Sequence, residues 1–211
     1  MNWCHEFQNV APRLWTRNSP KYGGQERRAG VGTVEPQYGD SMIGRPEPAE
    51  AAAYYFTYID KVAGDDAKSA IRNQLDEALV FFSGISEDKS LYRYAAEKWS
   101  IRQTLNHVID AERIFAFRAL WFARGFEAPL PSFDQDVAVS AAMADAIPWA
   151  AHVEEFRRVR LSTISIFEHA PSETWTRTGI ASGNPVTVRA LAFIIAGHLT
   201  HHMKIVRERY L

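Results

Sequence analysis

Val188-Arg189-Ala190-Leu191-Ala192-Phe193-Ile194-Ile195-Ala196-Gly197-His198-Leu199-Thr200-His201-His202-Met203-Lys204-Ile205 is the stretch on which the fold turns. Within it Val188, Leu191, Ile195, His198, His202 and Ile205 follow one another at intervals of three or four residues. That is the rhythm of the core-facing seam of a bundle helix. His198 and His202 therefore stand where a packed seam wants apolar side chains, while His201 falls to one side with Ile194 and Gly197. Two side chains four apart on a helix point the same way, so both imidazoles can reach one ion. Two ligands hold a metal weakly, and bundle sites recruit further ligands from facing helices.

Working outward, the preceding segments read as helices. Asp65 or Asp66 caps a helix reaching about Phe82, with Ile71, Leu75, Leu79 and Phe82 at helical spacing and Gly84 as a stop. Ser100 opens the next, with Gln103 three residues later as in a capping box, and this helix runs to about Arg124. A long connection from Gly125 to Ile147 carries Pro129, Pro131 and Asp134, with a short helix expected after Asp134. Pro148 suits the first turn of a third helix marked by Trp149, Val153, Phe156, Ile164 and Phe167 and ending before Pro171. A short hairpin is compatible with residues 174–188, and the last helix starts near Thr187. Four helices of roughly 17–25 residues with intervening loops make an all-α, four-helix bundle, and the long connection allows a crossover.

Residues 1–41 differ. They hold Gly23, Gly24, Gly30, Gly32 and Gly39 and few branched aliphatics, without a helical or strand period, and read as a disordered or loosely attached tail. Met42 opens a segment of different character and is expected to be the native start, with the domain spanning residues 42–211. The whole chain of 211 residues has a formal net charge of -1, which gives no footprint for nucleic acid or a membrane surface. No apolar run approaches the ~20 residues of a membrane span. The single cysteine, Cys4, excludes an intramolecular disulfide and suits a reducing cytoplasm.

His107 is the best third ligand. It lies mid-helix in Leu105-Asn106-His107-Val108, and its helical neighbours Thr104 and Ala111 are small. Of the others, His5 is in the tail, His152 is near a helix start and His169 is at a helix end. Each feature has an ordinary reading beside this one: a lone histidine is commonly a hydrogen-bonded residue, and adjacent histidines suit a solvated helix end. Asp110, Glu112 and Arg113 read as a charged face, and Arg118, Arg124, Arg157, Arg158 and Arg160 as helix-surface pairs with Glu154, Glu155 and Glu168. Trp99, Phe115, Phe117, Trp121 and Phe122 read as core.

Taken together, Trp99-Ser100, His107, Asp110, Glu112-Arg113 and the His198-Leu-Thr-His201-His202 run resemble the helix motifs of DinB-like (DinB/YfiT) proteins, and Arg207-Glu-Arg-Tyr-Leu211 resembles the end of one subgroup. The resemblance covers about residues 42–211. It implies an up-down-down-up bundle with metal ligands at His107, His198 and His202, the same three positions. It also implies small-molecule chemistry, since relatives include metal-dependent transferases that use low-molecular-weight thiols such as bacillithiol or mycothiol, and a thiol-dependent maleylpyruvate isomerase. The family name reflects damage-inducible expression. The departure is the N-terminal extension, which relatives usually lack.

The functional expectation is a metal-dependent thiol S-transferase, cytoplasmic and homodimeric, holding a divalent ion, zinc or nickel in the first place. An open coordination position lowers the pKa of whatever thiol or water occupies it. The loops after Gly125 and Ala170 are expected to shape the electrophile pocket, with Asp134 a polar contributor. A hydrolase using bound hydroxide and a non-enzymatic, stress-related metal-binding bundle are the alternatives.

Overall fold

The computed structural model describes residues 42–211. The expected loosely attached extension and the start at Met42 concern residues that lie outside the described ones. After single 3-10 turns at Pro48–Glu50 and Ala53–Tyr55, the chain forms a short helix α1 (Phe56–Ile59), then α2 (Ala67–Ser83), a one-turn α3 (Glu87–Ser90) and α4 (Ile101–Ala123). The long connection holds α5 (Gln135–Ala142) and a 3-10 turn at Ala144–Ala146, and leads into α6 (Trp149–Glu168). A further turn at Ser172–Thr174 precedes the strands β1 (Thr178–Ala181) and β2 (Asn184–Thr187), and α7 (Val188–Arg209) closes the chain.

The helix starts are set by side-chain oxygens that take up otherwise orphaned backbone N–H groups. Asp66 accepts from the Ser69 amide, Ser100 from Gln103 in a reciprocal capping box, Asp134 from Asp136 and Val137, and Thr187 from Ala190. Pro148 sits one place earlier than its sequence reading, as the extended N-cap of α6. The hairpin turns on Ser182 (φ 53) and Gly183 (φ 76), the pair of positive angles a two-residue hairpin needs.

Contacts between helix ends fix the topology. The Trp149 indole donates to the Phe82 carbonyl and Arg72 pairs with Glu168, so α2 and α6 are antiparallel. Arg102, at the start of α4, donates to the Ile147 carbonyl, just before α6 begins, so α4 and α6 run the same way. Tyr210, past the end of α7, donates to the Trp99 carbonyl, so α7 opposes α4. The order is up, down, down, up. Two parallel neighbours cannot be joined by a tight turn, which is the physical reason for the long α4–α6 connection.

Nearly every residue of α7 from Ala190 to Leu199 is buried, because α2, α4 and α1 all pack on it. A Cβ on Gly197 would lie 2.0 Å from the Tyr58 carbonyl oxygen, so glycine is what admits the α1 segment here. That segment is tied down from both sides: Arg45 donates to the carbonyls of Ile59, Val62 and Gly64, and Glu50 pairs with Arg189 and accepts from Thr187. Two apolar clusters fill the interior. One holds Ala111, Phe115, Phe193 and Ile194, and the other holds Leu105, Ile109, Leu199 and Met203. Along α7 the passage from one cluster to the other falls at His198, and along α4 it falls between Ile109 and Ala111, within a turn of His107.

Candidate metal centre

α4 contributes His107, and α7 contributes His198 and His202. Each is held by its place on a long, capped helix, and the antiparallel packing of α4 on α7 sets them face to face. The Nε2 atoms of His107 and His198 are 3.1 Å apart, as are those of His202 and His198. One ligand nitrogen from each of the three rings lies within 4.8 Å of the others. His107 and His198 are buried and His202 is half-buried. Around them, Trp99 packs on His107 with ring centroids 5.0 Å apart, and Tyr58 meets His198 edge-on at 5.2 Å.

All three rings are held neutral. Burial pushes His107 down to about 4. The same cause, with the neighbouring imidazoles adding repulsion, pushes His198 and His202 well below the usual histidine range. A neutral imidazole is the form that binds a metal.

The arrangement does not satisfy itself by hydrogen bonding. Each ring nitrogen carries either a proton or a lone pair. The His198 Nε2 atom therefore cannot donate to one neighbour and accept from the other. The buried His107 Nδ1 also has no partner among the described residues. The buried His152 Nδ1 is likewise without one, so it is the convergence of the three Nε2 atoms that sets this cluster apart. By contrast, a tetrahedral ion bound at about 2.0–2.1 Å holds its nitrogens about 3.3–3.4 Å apart, close to the 3.1 Å that separates His198 Nε2 from each of its two neighbours. The donor set fits a divalent transition-metal ion, and imidazole suits zinc, nickel, copper and iron.

The remaining histidines have other settings. His201 is beside the cluster, with its ring against Tyr58 at 5.3 Å. His152 is buried and its Nε2 is bonded to the Ala144 carbonyl at 2.9 Å, and His169 is bonded through Nδ1 to Ser165 at the end of α6. His5 lies outside the described residues.

Asp134 does not reach the cluster. Its carboxylate is used as the α5 cap and is exposed. Asp136, two residues on, is the acid that faces the site: it lines a cavity with His202 and Trp99 and its charge acts on His107. Sequence reading missed it because a capping aspartate and a first-turn aspartate look alike without the packing of α5. Glu112 and Arg160 also depart from their reading as surface charges. They form a buried bidentate pair, with Nε and Nη2 of Arg160 each 2.9 Å from Glu112. Arg118 is buried too, whereas Arg157 and Arg158 do pair with Glu154 at the surface.

Two cavities approach the histidines. One, of about 150 Å³, is lined by His107, His198, Tyr58, Phe115, Arg118 and Phe133. Phe133 comes from the α4–α6 connection, and Ser182 of the hairpin adds to the same wall. The hairpin lies close because a Cβ on Gly179 would be 2.0 Å from the Phe122 ring. The tyrosines of the 54–58 segment, which sequence reading did not assign, form the opposite wall. The second cavity, of about 310 Å³, reaches His202 and is more polar, with Glu97, Lys98, Thr104 and Asp136 among its lining.

The sequence profile described as the DinB superfamily matches residues 70–206. The chain belongs to the DinB superfamily. Among solved structures it is similar to YfiT from Bacillus subtilis, which is described as a probable metal-dependent hydrolase with an unusual four-helix bundle topology. That likeness has a TM-score of 0.58 at 12% identity and covers 77% of this chain and 89% of YfiT, so it shows a shared fold. No curated protein matches the chain. Among the described residues of this DinB-superfamily chain, no helix is long and apolar enough to cross a membrane.

Proposed function

We propose that this DinB-superfamily protein holds one divalent ion, zinc or nickel, on His107, His198 and His202, and transfers a low-molecular-weight thiol to a small electrophile. The observation that carries the reading is the meeting of three imidazole nitrogens within 4.8 Å of one another, on rings that line two cavities. When bound, the ion would supply Lewis acidity, favouring the deprotonated form of a thiol or water in its open position. The chain's own residues do the rest. The rings of Tyr58, Phe115 and Trp99 exclude water from the imidazoles. The polar cavity at His202, with Asp136 and Lys98, suits the charged body of a small thiol, while the one at His107, with Tyr55, Phe115, Phe133 and Arg118 in its lining, suits an electrophile with an aromatic body. Residues 42–211 contain no cysteine, so the nucleophile comes from outside the bundle.

Assay of metal-loaded protein with a panel of biological thiols and electrophiles tests this. Turnover that needs both metal and thiol supports it, and no turnover with any pair overturns it. The likeness to YfiT favours a second reading, hydrolysis of the same class of substrate by water. Turnover that proceeds with metal but without thiol would select it. We further propose a cytoplasmic homodimer, which sedimentation of the purified full chain checks.

A further inference from the structure

Among the described residues three arginines are buried: Arg102, Arg118 and Arg160. Arg160 is neutralised by Glu112 and Arg102 by Glu87. Arg118 is 4% exposed and has no carboxylate partner among the described residues. Its Nη2 donates to the Pro131 carbonyl at 2.7 Å and to the Ser182 hydroxyl at 3.1 Å, which fixes the guanidinium between the long connection and the hairpin. Nε and Nη1 have no hydrogen-bond acceptor among the described residues. A buried cation without a counter-charge is costly. This one lines the cavity that opens on His107 and His198.

We infer that Arg118 is an anion-recognition residue, and that the cavity takes a one-ring aromatic carboxylate with its carboxylate on the guanidinium and its ring among Tyr54, Tyr55, Phe115 and Phe133. Three observations converge. With Nη2 committed to Pro131 and Ser182, Nε and Nη1 each remain able to give a carboxylate oxygen a charge-assisted hydrogen bond. The lining of the cavity is rich in aromatic rings. The volume of about 150 Å³ is that of a cavity that holds benzene, so a single ring fits. The inference deepens the proposed function by naming the class of its electrophile, and it rests on that reading for the reaction but not for the binding.

Benzoate and its neutral isostere benzamide test it by calorimetry on the full chain, metal-loaded and after chelation. Benzoate is expected to bind at least about tenfold more tightly, since a charge-assisted hydrogen bond gives roughly 1.5–3 kcal/mol. The preference is expected to survive chelation and to fall below about twofold in Arg118→Gln, which keeps a donor for Pro131 and Ser182. If that variant does not fold, Arg118→Met, which keeps the length and apolar body of the side chain without its charge, is expected to lose the preference in the same way. Equal binding of the two ligands overturns the inference. A preference that vanishes on chelation but persists in Arg118→Gln also overturns it, because the carboxylate would then sit on the metal. A preference that is intact in protein that binds no metal upholds the inference and sinks the metal reading alone.

Discussion

Two polar clusters are buried in this bundle, and both bridge facing helices. Glu112 and Arg160, from α4 and α6, close on each other: two parallel hydrogen bonds join them, and Arg160 Nη1 is bonded to Gln74 and the Ile71 carbonyl. His107, His198 and His202, from α4 and α7, point ring nitrogens at one another without a consistent set of donors and acceptors. The first cluster is complete as protein. The second leaves its ring nitrogens without a matched donor for every acceptor, which is the ground on which a shared cation is proposed for it. A buried polar group whose neighbours satisfy it belongs to the fold, and a cluster left unmatched calls for a water, an ion or a ligand. Arg118 falls on the same side of that division as the histidines.

The comparison breaks most visibly at Glu112. Glu112→Ala leaves the Arg160 charge stranded and is expected to cost about 3–5 kcal/mol in urea unfolding, while replacing both partners by leucine and methionine is expected to restore most of the loss. The histidine cluster responds in the opposite sense. His202→Ala is expected to reduce metal affinity by more than about 100-fold, roughly 3 kcal/mol in competition titration, with little change in the stability of the metal-free protein. His201→Ala, one residue away but facing Tyr58, is expected to keep the metal.

Gly197→Ala probes the contact that lays the tyrosine segment over the site. The added methyl would meet the Tyr58 carbonyl, with an expected loss of about 1–3 kcal/mol and a widened cavity. The remaining test is of pH dependence. The folded state disfavours protonation of the three imidazoles, and His107 lies at about 4 against an ordinary 6.5. The unfolded chain therefore binds more protons between those values. Stability of the metal-free protein is expected to be full above about pH 6.5 and to fall as the pH drops toward 4. The triple leucine variant of the histidines should flatten that slope, and an unchanged slope would place its origin elsewhere.

Much of this was legible in the residues. Asp66, Ser100 and Thr187 announce their helices because capping is local chemistry, and the three- and four-residue spacing of α7 leaves His198 and His202 no direction but inward. What was not legible depends on packing between distant segments. Arg160 sits in an Arg-Arg-Val-Arg run beside surface acids, and nothing local distinguishes it from Arg157 or Arg158. Its burial is decided by the docking of α6 on α2 and α4. The short α1 and α3 helices carry too few residues for a period to emerge. Asp134 has the composition of a site residue, but its oxygens are committed to the α5 backbone, and Asp136 takes the facing position.

The central claim is that three imidazoles share one ion. X-ray absorption at the metal edge of the purified full chain, with elemental analysis of the same sample, tests it most directly. The account predicts about one metal per chain with a shell of three histidine nitrogens at about 2.0–2.1 Å, lost from the His107, His198 and His202 triple variant. Metal at the same stoichiometry in that variant, or a shell without three imidazoles, would contradict it.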